Sequence, residues 1–230
     1  MLNYIKSYFW NTIKPTVELY GNDIVVIRTI TDVLNTEVQE SIQKYKKVIV
    51  ISESNIQNIL EQLPNNIDKL IVKTTITNRE IINRFPSGVK YLYVCGAFYD
   101  HTFLKNLPTG LVSLTLDKGF DDADLLEYLP QSIKNLDLRE TAFSGPLNNL
   151  PPNLKFLTLG NRYKDVIQNL PLSIQELHVW GLYPKANISL MKQMYPTLKI
   201  EIYCQQIVYE KWSHPIEYEN DDMMIFDDIL

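Results

Sequence analysis

Cysteine is nearly absent: Cys95 and Cys204 are the only two in 230 residues. Two thiols cannot build a disulfide framework, and neither sits in the Cys-x-x-Cys spacing that metal sites favour. They are expected as buried free thiols in a reducing compartment, which places the protein in the cytoplasm. Glycine is scarce as well, at 8 residues, and no Gly-x-Gly-x-x-Gly or Gly-x-x-x-x-Gly-Lys run occurs, so no nucleotide cofactor is expected. Gly-x-Ser-x-Gly and His-Glu-x-x-His are missing too, and the histidines His101, His178 and His214 lie far apart. No catalytic, cofactor or metal site is expected from such a set. No apolar run approaches the roughly 18 to 20 residues of a membrane span, so no membrane partner is expected. Lys6 interrupts the apolar start and no small-residue cleavage site follows it, which argues against a secretory leader.

An excess of basic charge is also lacking. The formal net charge is −5, and the segment 217–230 alone holds six acids and no Lys or Arg. Residues 1–216 therefore carry −5 − (−6) = +1. Nucleic acid needs a concentrated basic face, so it is not an expected partner.

What the sequence has is a repeat. Prolines stand at Pro64, Pro86, Pro108, Pro130, Pro151 and Pro171, spaced by 22, 22, 22, 21 and 20 residues. Each follows an apolar residue: Leu63, Phe85, Leu107, Leu129, Leu150 and Leu170. Six residues after each proline comes leucine every time, at Leu70, Leu92, Leu114, Leu136, Leu157 and Leu177. Val72, Val94, Leu116, Leu138, Leu159 and Val179 follow two residues later. Further apolar columns run three residues after the proline (Ile67 to Ile174) and four before it (Leu60 to Ile167). A unit of this size cannot bury its own apolar side, whereas stacked neighbours make one continuous core. The alternation at the leucine pair predicts a short strand in each unit, stacked in parallel on the next. The segment before each proline reads as a short helical or 3₁₀ return, ended by the proline because it cannot donate a backbone hydrogen bond. The expected fold is an α/β solenoid of leucine-rich-repeat type, with a concave parallel β-sheet, short convex helical segments and terminal caps.

One more column is aromatic in five of six units: Ile76, Phe98, Phe120, Phe143, Tyr163 and Tyr183, about twelve residues after the prolines. Units such as Leu129-Pro-Gln-Ser-Ile-Lys-Asn-Leu-Asp-Leu, followed by Phe143-Ser-Gly-Pro-Leu, resemble the FNIP repeat. That family of leucine-rich-repeat proteins is known from social amoebae and amoeba-infecting giant viruses. The resemblance covers roughly residues 58 to 183. It follows the Leu-Pro half of the motif closely and departs from the Phe-Asn half, where Phe98-Tyr, Phe120-Asp, Phe143-Ser and Tyr163-Lys stand instead. It implies a protein-interaction scaffold in a host cytoplasm or a virion. Some FNIP proteins also carry an F-box that docks a ubiquitin ligase, but its Leu-Pro-x-Glu opening is not found here.

Three regions follow: an N-terminal cap over 1–46, the solenoid over 47–203 and a C-terminal cap with an acidic tail over 204–230. Val48 and Val50 precede Leu70 and Val72 by 22 residues and mark a degenerate first unit, while Ile24 to Ile27 reads as a further strand. Thr31 to Tyr45 reads as one helix. Ile200 and Ile202 mark a shortened last unit. In the tail, Met223-Met-Ile-Phe amid acids reads either as a cap or as a short docking motif.

Binding is expected on the residues between the inward leucines, which share the open side of the sheet. Six strands at about 4.8 Å span about 25 to 30 Å, the scale of a protein interface. Tyr91, Tyr93, Arg139, Phe156 and Trp180 are candidate anchors, because Tyr, Trp and Arg dominate interface energies. Asp137, Glu176 and His178 lie beside them. Asp137 is expected to pair with Arg139, and Glu176 to lie close to His178. The protein is expected to be non-enzymatic and to capture a protein partner through this face. A ubiquitin-ligase adaptor and a self-associating homo-oligomer are the alternatives.

Overall fold

The computed structural model describes residues 18–20, 23–52, 55–74, 82–96, 102–118, 120 and 124–203. The protein is a repeat α/β solenoid built on one sheet. Its strands are β1 (Glu18–Tyr20), β2 (Ile24–Ile27), β3 (Lys47–Ile51), β4 (Lys69–Lys73), β5 (Tyr91–Cys95), β6 (Ser113–Leu116), β7 (Asn135–Leu138), β8 (Phe156–Leu159), β9 (Glu176–Trp180) and β10 (Lys199–Tyr203). They lie in sequential order. β1 pairs antiparallel with β2, and every later pair is parallel.

Register follows the leucine column. Leu70, Leu92, Leu114, Leu136, Leu157, Leu177 and Ile200 pair one above another, strand after strand. Two backbone devices fix where each strand begins. The carbonyl of each repeat proline from Pro86 onward accepts the N–H three residues later, at 3.0 to 3.2 Å, closing a tight turn. The two N–H groups after that turn then donate to one carbonyl in the unit before: Lys90 and Tyr91 to Asp68, Val112 and Ser113 to Lys90, Lys134 and Asn135 to Val112. The same pattern continues through Lys155 and Phe156 to Lys134, and Gln175 and Glu176 to Lys155. Ser132 and Ser173 add side-chain bonds to the preceding unit's backbone, at 2.6 to 2.7 Å. The turn thus hands each unit to the next before its strand starts, and differences in unit length are absorbed in the return.

One face of the sheet carries the core. The leucine and valine columns are all buried, and the aromatic column closes the bend with Phe120, Phe143, Tyr163 and Tyr183. Phe120 meets Phe103 edge-on at 5.8 Å, and Phe143 stacks on Tyr163 at 6.2 Å. Ile76 and Phe98 lie outside the described residues.

The returns are less uniform than the sequence pattern predicts. Helix α1 (Ile30–Leu34), helix α2 (Thr36–Tyr45) and helix α3 (Ile56–Gln62) pack beside the first strands. Thr102–Asn106 and Leu125–Tyr128 are 3₁₀ turns. The returns before Pro151 and Pro171 hold no helix, and Leu147 and Ile167 bury themselves from irregular backbone. The reading of Thr31 to Tyr45 as one helix is corrected: Asn35 breaks it. Its backbone is extended, and its side chain accepts from the N–H groups of Glu37 and Val38 at 2.9 and 3.2 Å, so it caps a second helix. The first helix opens on a capping box between Thr29 and Asp32. Val33, Val38 and Ile42 reach the core, while Leu34 is left 62% exposed. A further helix, α4 (Lys185–Met194), lengthens the last connection and buries Met191. Among the described residues, no helix is long and apolar enough to cross a membrane.

Leu136, with neighbours of its own column on both sides, is 1% exposed, whereas Leu172 in a turn is fully exposed. Leu136→Ala is expected to cost about 2–5 kcal/mol in chemical denaturation. Leu172→Ser is expected to shift it by less than about 0.5 kcal/mol. Equal losses would contradict this register.

Candidate functional site

The face opposite the core is built by the same pairing. Its central row runs Val26, Ile49, Ile71, Tyr93, Thr115, Asp137, Thr158, His178, Glu201. A flanking row runs Lys47, Lys69, Tyr91, Ser113, Asn135, Phe156, Glu176, Lys199. Six of the eight candidate residues stand in these two rows, and Arg139, just past β7, lies over Trp180 at the end of β9. The face divides into an apolar end over β2 to β5 and a charged, aromatic end over β7 to β10.

At the charged end, Arg139 is held twice. Its guanidinium donates to Asp137 Oδ2 at 2.9 Å, and it lies over the Trp180 ring at 4.8 Å. Trp180 in turn stacks on Tyr203 at 4.6 Å. The expected Asp137–Arg139 pair is thus present, and an aromatic sandwich supports it. His178 Nε2 stands 3.4 Å from Glu176 and 3.5 Å from Glu201, and Lys199 reaches the same two carboxylates at 3.1 and 3.4 Å. The Tyr203 hydroxyl donates to Glu201. That bond holds the Glu201 carboxyl below its usual range, while burial and the same carboxylate push the Tyr203 phenol up to about 12.

In the middle of the sheet, Asp117 Oδ2 accepts from the Tyr93 hydroxyl at 3.0 Å and from the Cys95 thiol at 2.9 Å. Burial and the Asp117 hydrogen bond push the Cys95 thiol up to about 11. Burial likewise raises the Tyr93 phenol. The expectation of buried thiols needs correcting here: Cys95 is half-buried on the open face. Cys204 lies outside the described residues.

Lying on the open side does not leave the anchors exposed. Tyr91 is exposed at 42%, but Tyr93, Arg139, Phe156, Glu176 and Trp180 are half-buried. Asp137 and His178 are only 6% and 3% exposed. Strands about 4.8 Å apart put large side chains in contact along each row, so they cover one another.

Sequence reasoning missed Lys199, Glu201 and Tyr203, although β10 alternates as its neighbours do. It also missed the loops that follow the strands. Lys118, Glu140, Asn161 and Arg162 join Arg139 and Trp180 around a cleft of about 350 Å³. Partial desolvation at the cleft, with the negative charge of Asp117 nearby, raises the carboxyl of the otherwise exposed Glu140. Loop residues outside the columns leave no periodic signal. Comparisons with family models, curated proteins and solved structures return no match.

The thiol chemistry is directly testable. Alkylation at Cys95, followed site by site with mass spectrometry, is expected to stay slow at pH 8 and to rise only toward pH 11. Asp117→Asn removes a negative charge that favours the protonated thiol, so the rise moves to lower pH. An unchanged profile would refute the assigned cause.

Proposed function

We propose that the protein is a non-enzymatic interaction scaffold that captures a protein partner on the open face of its sheet. The observation that carries this reading is the convergence on one surface of Tyr91, Tyr93, Arg139, Phe156 and Trp180, each from a different position along the chain. Aromatic rings and a guanidinium already locked in place lose little freedom on binding, which is what interface anchors require. Asp137, Glu176 and His178 supply a polar network beside them. Two features favour binding over catalysis. The Cys95 thiol is held away from the range where it acts as a nucleophile, and His178 is only 3% exposed, which withholds its imidazole from a substrate.

The architecture is read as a leucine-rich repeat of the FNIP kind, with the binding face on the concave side of the solenoid and the chain working in a host cytoplasm or a virion. The Leu-Pro turns, the leucine column and the aromatic column support this assignment. No nucleic acid, membrane or cofactor enters the reading.

The test is affinity purification with the full chain as bait, run against two variants. Tyr91→Ala combined with Phe156→Ala is expected to lose at least tenfold of whatever protein the parent captures. Leu172→Ser, in an exposed turn off the strands, is expected to capture it normally. Trp180→Ala is less suitable, because losing its stack on Tyr203 and Arg139 also costs stability. Equal capture by all three baits would sink the reading.

A further inference from the structure

The cleft at the charged end is built where the chain leaves the strands of four successive units. Lys118 follows β6, Arg139 to Ala142 follow β7, Asn161 and Arg162 follow β8, and Trp180 ends β9. Its volume of about 350 Å³ lies at the small end of ligand sites. A glycine makes the opening. Leu138, Leu159 and Val179 pair side by side, so Arg139, Gly160 and Trp180 come next in one row. Gly160 puts no side chain between the other two, and Arg139 crosses the gap to lie 4.8 Å over the Trp180 ring. A larger residue is resisted there, since a Cβ at position 160 would stand 2.3 Å from the Arg139 carbonyl oxygen.

The wall carries three cations, Lys118, Arg139 and Arg162, against one carboxylate, Glu140. Asp137 answers Arg139 at 2.9 Å. Lys118, Glu140 and Arg162 are exposed, and none of them forms an ion pair among the described residues. On the strands beside them the charges do close on one another, with Lys199 bound to Glu176 and Glu201. Glu140 is no counterion for the cleft: desolvation and the charge of Asp117 raise its carboxyl despite Arg139 and Lys118. With Asp137 and Glu140 both counted, one positive charge remains in excess, set around a guanidinium already fixed in place.

We propose that this cleft is the subsite for an acidic residue of the captured protein, with the Asp or Glu carboxylate received by Arg162 and Lys118 beside Arg139. The inference rests on the reading of the chain as a protein-binding scaffold and names the partner chemistry that one end of the face selects. A carboxylate matches an excess of one charge. A phosphate monoester carries close to two negative charges at neutral pH and would meet Glu140 in the same wall. The planar fork of Arg162 can hold both carboxylate oxygens side by side, which adds direction to the attraction.

The experiment follows the anisotropy of a fluorescently labelled oligoglutamate peptide as the full chain is added at low salt, with circular dichroism confirming the fold of every variant. Arg162→Gln and Lys118→Gln are each expected to weaken binding about fivefold, the upper range for one exposed ion pair. Glu140→Gln removes the competing carboxylate and is expected to tighten binding severalfold. Lys192→Gln changes the net charge equally but lies on α4, away from the cleft lining, and is expected to leave the affinity unchanged. No binding by the parent, an equal loss with Lys192→Gln, or no response to Arg162→Gln would each overturn the proposal. Inorganic phosphate and acetate are compared as competitors at equal ionic strength, and stronger displacement by phosphate would overturn the choice of a carboxylate. Tyr91→Ala combined with Phe156→Ala is expected to bind the peptide as the parent does, because neither residue lines the cleft. Failure of protein capture therefore leaves the peptide measurement intact, and failure of peptide binding sinks the subsite without touching capture.

Discussion

Everything in this molecule depends on keeping successive strands in register. A parallel ladder slipped by one residue would turn the leucine column toward the open face and the charged row into the core. Register is held before each strand begins, where one backbone carbonyl receives two N–H groups from the next unit, just after the turn closed by the repeat proline. The side chains reinforce the choice, since Leu70 through Leu177 stack without interruption. With both constraints acting at the same point, the return segments are left free to vary. Helices, 3₁₀ turns and irregular backbone serve equally well there, provided that an apolar residue reaches the core.

The same register builds the open face. Residues about 22 apart in sequence become neighbours about 4.8 Å apart in space. A short chain thereby brings together Arg139, Trp180 and Tyr203 from three units, and Glu176, His178, Lys199 and Glu201 from two. The groups hold one another in place. Arg139 is fixed by Asp137 and Trp180, and Tyr93 and Cys95 share one carboxylate of Asp117. Such mutual support costs exposure: most candidate anchors are half-buried, and Tyr91 stands out because Lys69 and Ser113 flank it with smaller or more flexible side chains.

The two ends of the face differ in character. Over β7 to β10 it is polar, aromatic and closed by its own contacts. Over β2 to β5 it is aliphatic and bordered by lysines. That asymmetry parallels the asymmetry of charge along the sequence, a nearly neutral body followed by a strongly acidic segment.

Periodicity was sufficient to locate the strands, the inward columns and the row of outward candidates, because alternation and stacking are properties of local sequence repeated at a fixed interval. The Asp137–Arg139 pair and the closeness of Glu176 and His178 were legible for the same reason, as each joins residues two apart on one strand. Other features depend on which units become neighbours and how closely. The break at Asn35, the enclosure of His178 by a second carboxylate from β10, the shared hydrogen bonds of Asp117 and the cleft walled by Lys118 and Arg162 all arise between units or in loops without a repeat signal. Sequence determined which side of each strand a residue occupies; tertiary structure alone decided how far it is buried and what it touches. Direction is set by local alternation, and burial by the size of the neighbours that stacking brings alongside.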